Sequence, residues 1–191
     1  MTHKLREEWL AAAVCEMRPW FADQGQPLPE LIRVSCGWPS RGGLSAKKRS
    51  IGQCWNPIAS ADAATEVFIS PVLADPVRVL DVLVHELVHA AVGVDQGHKG
   101  PFRKLATALG LEGKMTETVA GAVLTVRLNA LSETLGQYPH AVLDAKAARK
   151  AQGTRMLKAT CTACGFTMRT TAKWAEYGLP VCACGTQIEL N

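Results

Sequence analysis

Large rings are scarce in this chain: two Tyr, four Phe and five Trp among 191 residues. Long apolar runs are missing too. No uninterrupted apolar stretch reaches the roughly 18 residues that a membrane span requires, so a membrane is not an expected partner. The first eight residues are charged and read as a helix start, with no apolar signal segment. A cytoplasmic protein with reduced cysteines is therefore expected, nucleoid-associated if prokaryotic or phage-encoded. Acid is absent from two stretches. Residues 31–61 hold Arg33, Arg41, Lys47, Lys48 and Arg49 with no Asp or Glu. Residues 145–175 hold Lys146, Arg149, Lys150, Arg155, Lys158, Arg169 and Lys173, again with none. In a chain of net charge +4 with 17 acids, this asymmetry points to an anionic partner, most simply nucleic acid. A merely solvated basic surface is the plain alternative.

What is present suffices for a core. A hydrophobic fraction of 48% over this length allows one medium domain, or one domain with a small module. Residues 5–17 read as a helix with Leu10, Val14 and Met17 in one stripe, stopped near Pro19. Residues 31–36, 51–55 and 65–70 alternate like strands, and their short links suggest a small, largely antiparallel sheet. Cys36 and Cys54 lie in these strands as small buried groups. Asp75-Pro76 opens a helix that runs to about Val92 and is apolar almost all round, so it is central and buried. Further helices are expected over 102–109 and 119–135. The second carries Leu124, Leu128, Leu131 and Leu135 on one face, and Gly136 caps it. Residues 141–152 are a helix or a linker. The expected class is α+β, with a first domain over 1–145 and a basic linker with a small module over 146–191.

The buried helix contains His85-Glu86-Leu87-Val88-His89. Residues four apart share a helix face, so the two imidazoles can bind one metal ion. Glu86 lies about 100° round the helix, close enough to act as a general base without ligating. Polar groups on such an element cost several kcal/mol unless partnered, and a metal is the simplest partner. Two satisfied core histidines are the plain alternative. Catalytic zinc takes three protein ligands and keeps one position for water. His98, in the loop Gly97-His98-Lys99-Gly100-Pro101, is the first candidate for the third; Asp95, Glu112 and Glu117 are alternatives. Glu86 would take a proton from the zinc-activated water as it attacks a carbonyl and pass it to the leaving amine. Tyr138 and His140 are weaker candidates for an oxyanion donor, and packing suits them better. Strand 66–70 would be able to pair with an extended substrate if it were a sheet edge.

Four of the seven cysteines cluster late: Cys161-x-x-Cys164 and Cys182-x-Cys184. Two such knuckles form a tetrahedral structural zinc site, and a module this small can hardly fold without one. One catalytic and one structural zinc are thus expected.

The order of parts resembles the SprT-like, or Spartan-like, metalloprotease family. The residues that carry the resemblance are His85-Glu86-Leu87-Val88-His89, then Gly97-His98-Lys99-Gly100-Pro101-Phe102, then Cys161, Cys164, Cys182 and Cys184. It extends from about Ile32 to the C-terminus. The Gly-His-x-Gly-Pro-Phe segment is the specific part and implies His98 as third zinc ligand. The resemblance implies a zincin-type α+β fold, a zinc ribbon, and zinc endopeptidase activity that depends on DNA and acts on DNA-bound or DNA-crosslinked protein. The shortened second knuckle departs from the family pattern. Read from the residues alone, Arg155, Lys158, Arg169 and Lys173 surround the ribbon, with Phe166, Trp174 and Tyr177 interleaved. Basic groups track phosphates and rings stack on unpaired bases, so DNA with single-stranded character is the expected partner. Phe166 is assigned to the ribbon core and Trp174 to stacking. Two other functions compete: a non-catalytic, transcription-associated nucleic-acid binder with a structural metal, and a peptide or small-molecule zinc hydrolase with incidental charge.

Overall fold

The computed structural model describes residues 3–45, 48–144, 147 and 156–191. Lys47, Lys146, Arg149, Lys150 and Arg155 lie outside the described residues. The chain divides into two compact units, Met1–Asp144 and Ala145–Asn191. The class is α+β.

Unit one begins with helix α1, Arg6–Ala22. It runs through Pro19 instead of stopping there. An interior proline costs a helix about 3 kcal/mol. Trp20 and Phe21, both buried in the last turn, offset this at roughly 1.5–3 kcal/mol each. The Arg127 guanidinium lies 3.7 Å from the Trp20 ring centre and closes that end. Strands β1 (Ile32–Cys36), β2 (Gly52–Trp55) and β3 (Thr65–Ile69) form one sheet in the order β1-β3-β2. β2 is antiparallel to β3, but β1 is parallel to it, so the sheet is mixed where a largely antiparallel one was expected. The connection over 37–51 is long enough for β3 to insert between β1 and β2. β3 is therefore central and has no free edge for a substrate; β2 is at an edge.

β3 buries Thr65, Val67 and Ile69 toward the helices and turns Glu66 and Phe68 to the other face. On that outer face Arg33 pairs with both Asp62 and Glu66 and bonds Ser60. One of the five bases of the first acid-free stretch is thus neutralised by acids from outside it.

Helix α2, Pro76–Val92, is the central element, packed against β2, β3, α4 and α3. Asp75 caps it by accepting the Arg78 N–H at 2.7 Å, as the Asp-Pro start predicts. Helix α3 is Gly100–Leu109. Helix α4, Ala122–Leu135, buries the expected stripe Leu124, Leu128, Leu131 and Leu135. Its expected first turn is instead strand β5 (Val119–Ala120), paired with β4 (Leu111–Glu112). Residues 141–144 adopt neither helix nor strand. Among the described residues, no helix is long and apolar enough to cross a membrane.

Unit two pairs β6 (Leu157–Cys161) with β7 (Thr167–Thr170) and β8 (Ile188–Leu190), both antiparallel. A short helix α5, Ala172–Ala175, follows β7. The buried interior is Ala159, Cys161, Cys182 and Ile188, with Met168 and Leu179 against it. Phe166 does not belong to this core: it is 55% exposed. Buried cysteine side chains fill the space that a ring would otherwise have to fill.

Candidate metal centre and its cleft

One stripe of α2 forms the floor of a cleft of about 840 Å³: Arg78, Val82, His85, Glu86 and His89. Residues 48–54 on the β2 side, Val94, Gly97 with His98, and residues 116–118 complete its lining. The chain leaves α2 at Gly93 and turns back, with Gly97 at φ +56°, a conformation that favours glycine. That turn returns His98 to the helix it follows. The Nε2 atom of His98 lies 3.3 Å from Nε2 of His85 and 3.1 Å from Nε2 of His89. A proton on His98 serves one neighbour at a time, whereas a cation at the centre serves all three. The three imidazoles form a group that could hold a metal ion.

Burial holds His85 down at about 4, helped by the charges of His98 and Arg78. Burial likewise holds His89 down at about 3, with His85 and His98 adding to it. His98 is lowered by burial in the same direction. Neutral imidazole is the ligating form, so the protein presents this site ready to bind a cation.

Two supporting residues lie outside the His85–His89 segment. Thr118 Oγ1 lies 2.7 Å from His85 Nδ1. When Nε2 offers its lone pair, Nδ1 bears the proton and Thr118 accepts it, which fixes the ring's tautomer and orientation. Thr118 is 33 residues from His85 in sequence, and an isolated threonine announces nothing. Phe102 is buried under the whole group, with ring centres 5.0, 4.4 and 4.9 Å from His85, His89 and His98. Its role explains physically why a phenylalanine follows the glycine-rich loop.

Glu86 is 7% exposed. Burial pushes its carboxyl up to about 8, with the Cys54 backbone N–H pulling the other way. The strand geometry accounts for that N–H. Ser70 N–H donates to Ile51 O at 2.9 Å, so residues 51, 53 and 55 face β3, and the backbone groups of Gly52 and Cys54 face the open edge. Gly52 passes so close to the helix that a Cβ there would meet Val82 Cγ1 at 2.7 Å and collide with the Glu86 carboxylate. A glycine inside a strand is the sequence sign of such an approach. Gly52→Ala is expected to displace the Glu86 side chain and to lower stability by about 1–3 kcal/mol while metal content is kept. Thermal unfolding and metal analysis on the same preparation check this.

None of the alternatives for third ligand belongs to the imidazole group. Asp95 accepts from Asn56 Nδ2 at 3.1 Å. Glu117 lies 3.3 Å from Lys114 Nζ, and Glu112 is exposed on β4. Tyr138 and His140 do not line the cleft. Tyr138 is buried against Trp9, with ring centres 4.9 Å apart, and His140 Nε2 bonds Pro71 O at 2.9 Å.

In unit two, Cys161, Cys164, Cys182 and Cys184 form the second group that could hold a metal ion. Their Sγ atoms pair at 3.5 Å, Cys161 with Cys184 and Cys164 with Cys182, far beyond the roughly 2.05 Å of a disulfide. Each knuckle closes on its glycine: Gly165 N–H donates to Cys161 O and Gly185 N–H to Cys182 O. The short Cys-x-Cys turn therefore still brings both thiols to the centre. Lys158 and Arg169 are cross-strand partners and both exposed. Trp174 is 61% exposed and Tyr177 80%, their ring centres 5.9 Å apart, and Lys173 Nζ lies 5.2 Å from the Trp174 ring centre.

Two metal-ligand groups, one of them beside a buried carboxylate in an open cleft, are what the chain presents; comparison with family models, with curated proteins and with solved structures gave no match to it.

Proposed function

We propose that this protein is a zinc-dependent endopeptidase that works on DNA-bound or DNA-crosslinked protein. The observation that carries the hydrolase reading is three neutral imidazoles converging beside a buried, non-ligating carboxylate. The spacing supports zinc. Ligands at about 2.0–2.1 Å around a tetrahedral ion stand about 3.3–3.4 Å apart, close to the 3.1 and 3.3 Å found between imidazole nitrogens. Four thiolates at about 2.3 Å stand about 3.8 Å apart, near the 3.5 Å of the ribbon.

His85, His89 and His98 would hold the catalytic ion and leave one position open. A zinc ion there supplies Lewis acidity toward water and the scissile carbonyl. Glu86 accepts the proton of the attacking water and delivers it to the leaving amine, so water adds across the C–N bond with no other reactant. A cation beside it also draws the raised Glu86 carboxyl back toward its ionised form, the form a base requires. The open edge of β2 offers the Gly52 N–H and C=O and the Cys54 C=O to an extended peptide, which supports a peptide over a small molecule. The resemblance to SprT-like proteases, on His85-Glu86-Leu87-Val88-His89, the Gly97–Phe102 loop and the four cysteines, supports the same reading.

DNA association rests on unit two, where Lys158, Arg169, Lys173 and Trp174 are exposed together with Tyr177 and Phe166. Sequence-tolerant stacking on single-stranded DNA suits exposed rings beside cations. A non-catalytic nucleic-acid binder would need neither the buried carboxylate nor the open ligand position.

Metal analysis and proteolysis test the proposal together. Two zinc ions per wild-type chain and one in His98→Ala are expected. A DNA-binding protein is expected to be cut only with single-stranded DNA present, and not after chelation. Two ions in both proteins would remove His98 from the site. DNA binding without proteolysis would favour the non-catalytic reading.

A further inference from the structure

The cleft is electrically lopsided, and the neighbours of β2 show which end is which. Gly52 abuts Val82 and Glu86, and further along the chain Asn56 bonds Asp95, beyond the C-terminal end of α2. β2 therefore runs alongside α2 in the same direction. Lys48 and Arg49, which precede it and line the cleft, lie at the Arg78 end. Arg78 sits two helical turns before His85 on the same stripe, about 10 Å away along the axis. Its guanidinium is anchored on one side by the buried Asp81 carboxylate and remains partly exposed to the cleft. Its charge is also felt at His85.

The acids near this end are occupied. Asp81 is held by Arg78, and Asp75 caps the helix through the Arg78 N–H. Glu117, the other lining acid, is paired with Lys114; its neighbour Thr118 contacts His85, while Ala120 faces Asp81, so Glu117 lies toward the metal ligands. Among the described residues Lys48 and Arg49 have no ion pair.

We infer that Arg78, with Lys48 and Arg49, forms a carboxylate-binding subsite that selects peptide substrates bearing Asp or Glu, or a free C-terminus, two or three residues beyond the scissile bond. This rests on the hydrolase reading above. An extended chain covers about 3.3–3.6 Å per residue, so 10 Å is about three residues. Antiparallel addition to the β2 edge, the more stable pairing, sends the C-terminal side of the substrate toward Arg78. A guanidinium with one side fixed by Asp81 keeps its remaining N–H donors aimed and pre-organised for a second carboxylate. The groups lie within a cleft floored by a helix, where a peptide side chain fits. A nucleic-acid strand, with a charge at every nucleotide, would need a longer basic track.

The test uses the full zinc-loaded chain and a proteome-derived peptide library with cut sites read by mass spectrometry. Asp and Glu should be enriched two or three positions C-terminal to the cut. A matched peptide pair, Asp against Asn at that position, should differ about tenfold in kcat/KM, the scale of one charge-assisted hydrogen bond in a partly exposed site. That ratio should fall to near one in Arg78→Ala/Asp81→Asn, a double change that leaves no uncompensated buried carboxylate. The surface variant Lys48→Ala/Arg49→Ala should lower it partly, without touching the core. Cleavage with no acidic preference, or a ratio unchanged in both variants, overturns the subsite and leaves the hydrolase reading standing. No cleavage at all by the two-zinc protein, with or without single-stranded DNA, overturns both. Equal inhibition of either peptide by a short oligonucleotide, lost in the Arg78 variant, would show the cations serve phosphate instead and also overturn the inference.

Discussion

Replacing Glu86 by Gln is expected to lower kcat/KM for peptide hydrolysis about 10²–10⁴-fold, with both metal ions retained. The two side chains have the same shape. Gln at this position still fits under Gly52, and its carbonyl oxygen can still accept the Cys54 N–H that faces Glu86. Packing and metal geometry should therefore stay. What is lost is the ability to take a proton from water and return it to the amine. The substitution also removes a carboxylate that burial disfavours, so folding should not suffer. Single-turnover hydrolysis of a fluorogenic peptide, beside metal analysis and circular dichroism, reads all three effects. Equal turnover by the wild-type and Glu86→Gln proteins, each with two ions, would falsify the general-base role.

Much of this site was legible because its signals are local. His85 and His89 share a helix face by spacing alone, and Asp75-Pro76 marks where that helix begins. His98 was legible at one remove. A histidine between glycines just after the helix can fold back, and Gly97 supplies the positive φ that lets it. Thr118 was not legible, since a common residue on a distant loop becomes a partner only through tertiary packing. Gly52 lies between. A glycine in a strand can mark a close approach, but the strand reading of 51–55 drew nothing from it, and the residue does not say what it approaches.

The expectation of a largely antiparallel sheet was the main misreading, and for a related reason. Alternation identifies each strand but not its neighbour. Inserting β3 between β1 and β2 is decided by which strand covers α2, a long-range matter. The consequence for function is direct, because the open edge beside the cleft belongs to β2 and not to the strand over 65–69. Pro19 misled similarly. Proline stops a helix by local rules, but buried Trp20 and Phe21 carry α1 beyond it. Arg33 shows the limit of counting charge along the chain. Its stretch has no acid, yet its side chain rests on Asp62 and Glu66 brought over by β3. The basic stretch over 31–61 is thus not one surface, and its Lys48 and Arg49 belong to the cleft.

Cys161→Ala is expected to remove one metal ion and to unfold unit two while unit one keeps its own ion. Among the described residues the apolar core of unit two is four buried residues, two of them cysteines. Apolar burial on that scale falls well short of the conformational entropy of ordering the 36 residues of 156–191. Structural zinc contributes an apparent 10–16 kcal/mol in small zinc-finger peptides, roughly, at neutral pH. Removing a ligand that is 1% exposed also leaves a void where Cys161 faced Cys184. Amide exchange should then show β6, β7 and β8 unprotected, with α2 and β3 protected as in wild type. Affinity for single-stranded DNA should fall with the loss of that fold, since Lys158 and Arg169 face the same way only when β6 and β7 pair. Hydrolysis of a short peptide should persist, because His85, His89, His98 and Glu86 all belong to unit one. Retention of two ions, or protected β6 amides in the variant, would mean that the ribbon is held by something other than its metal.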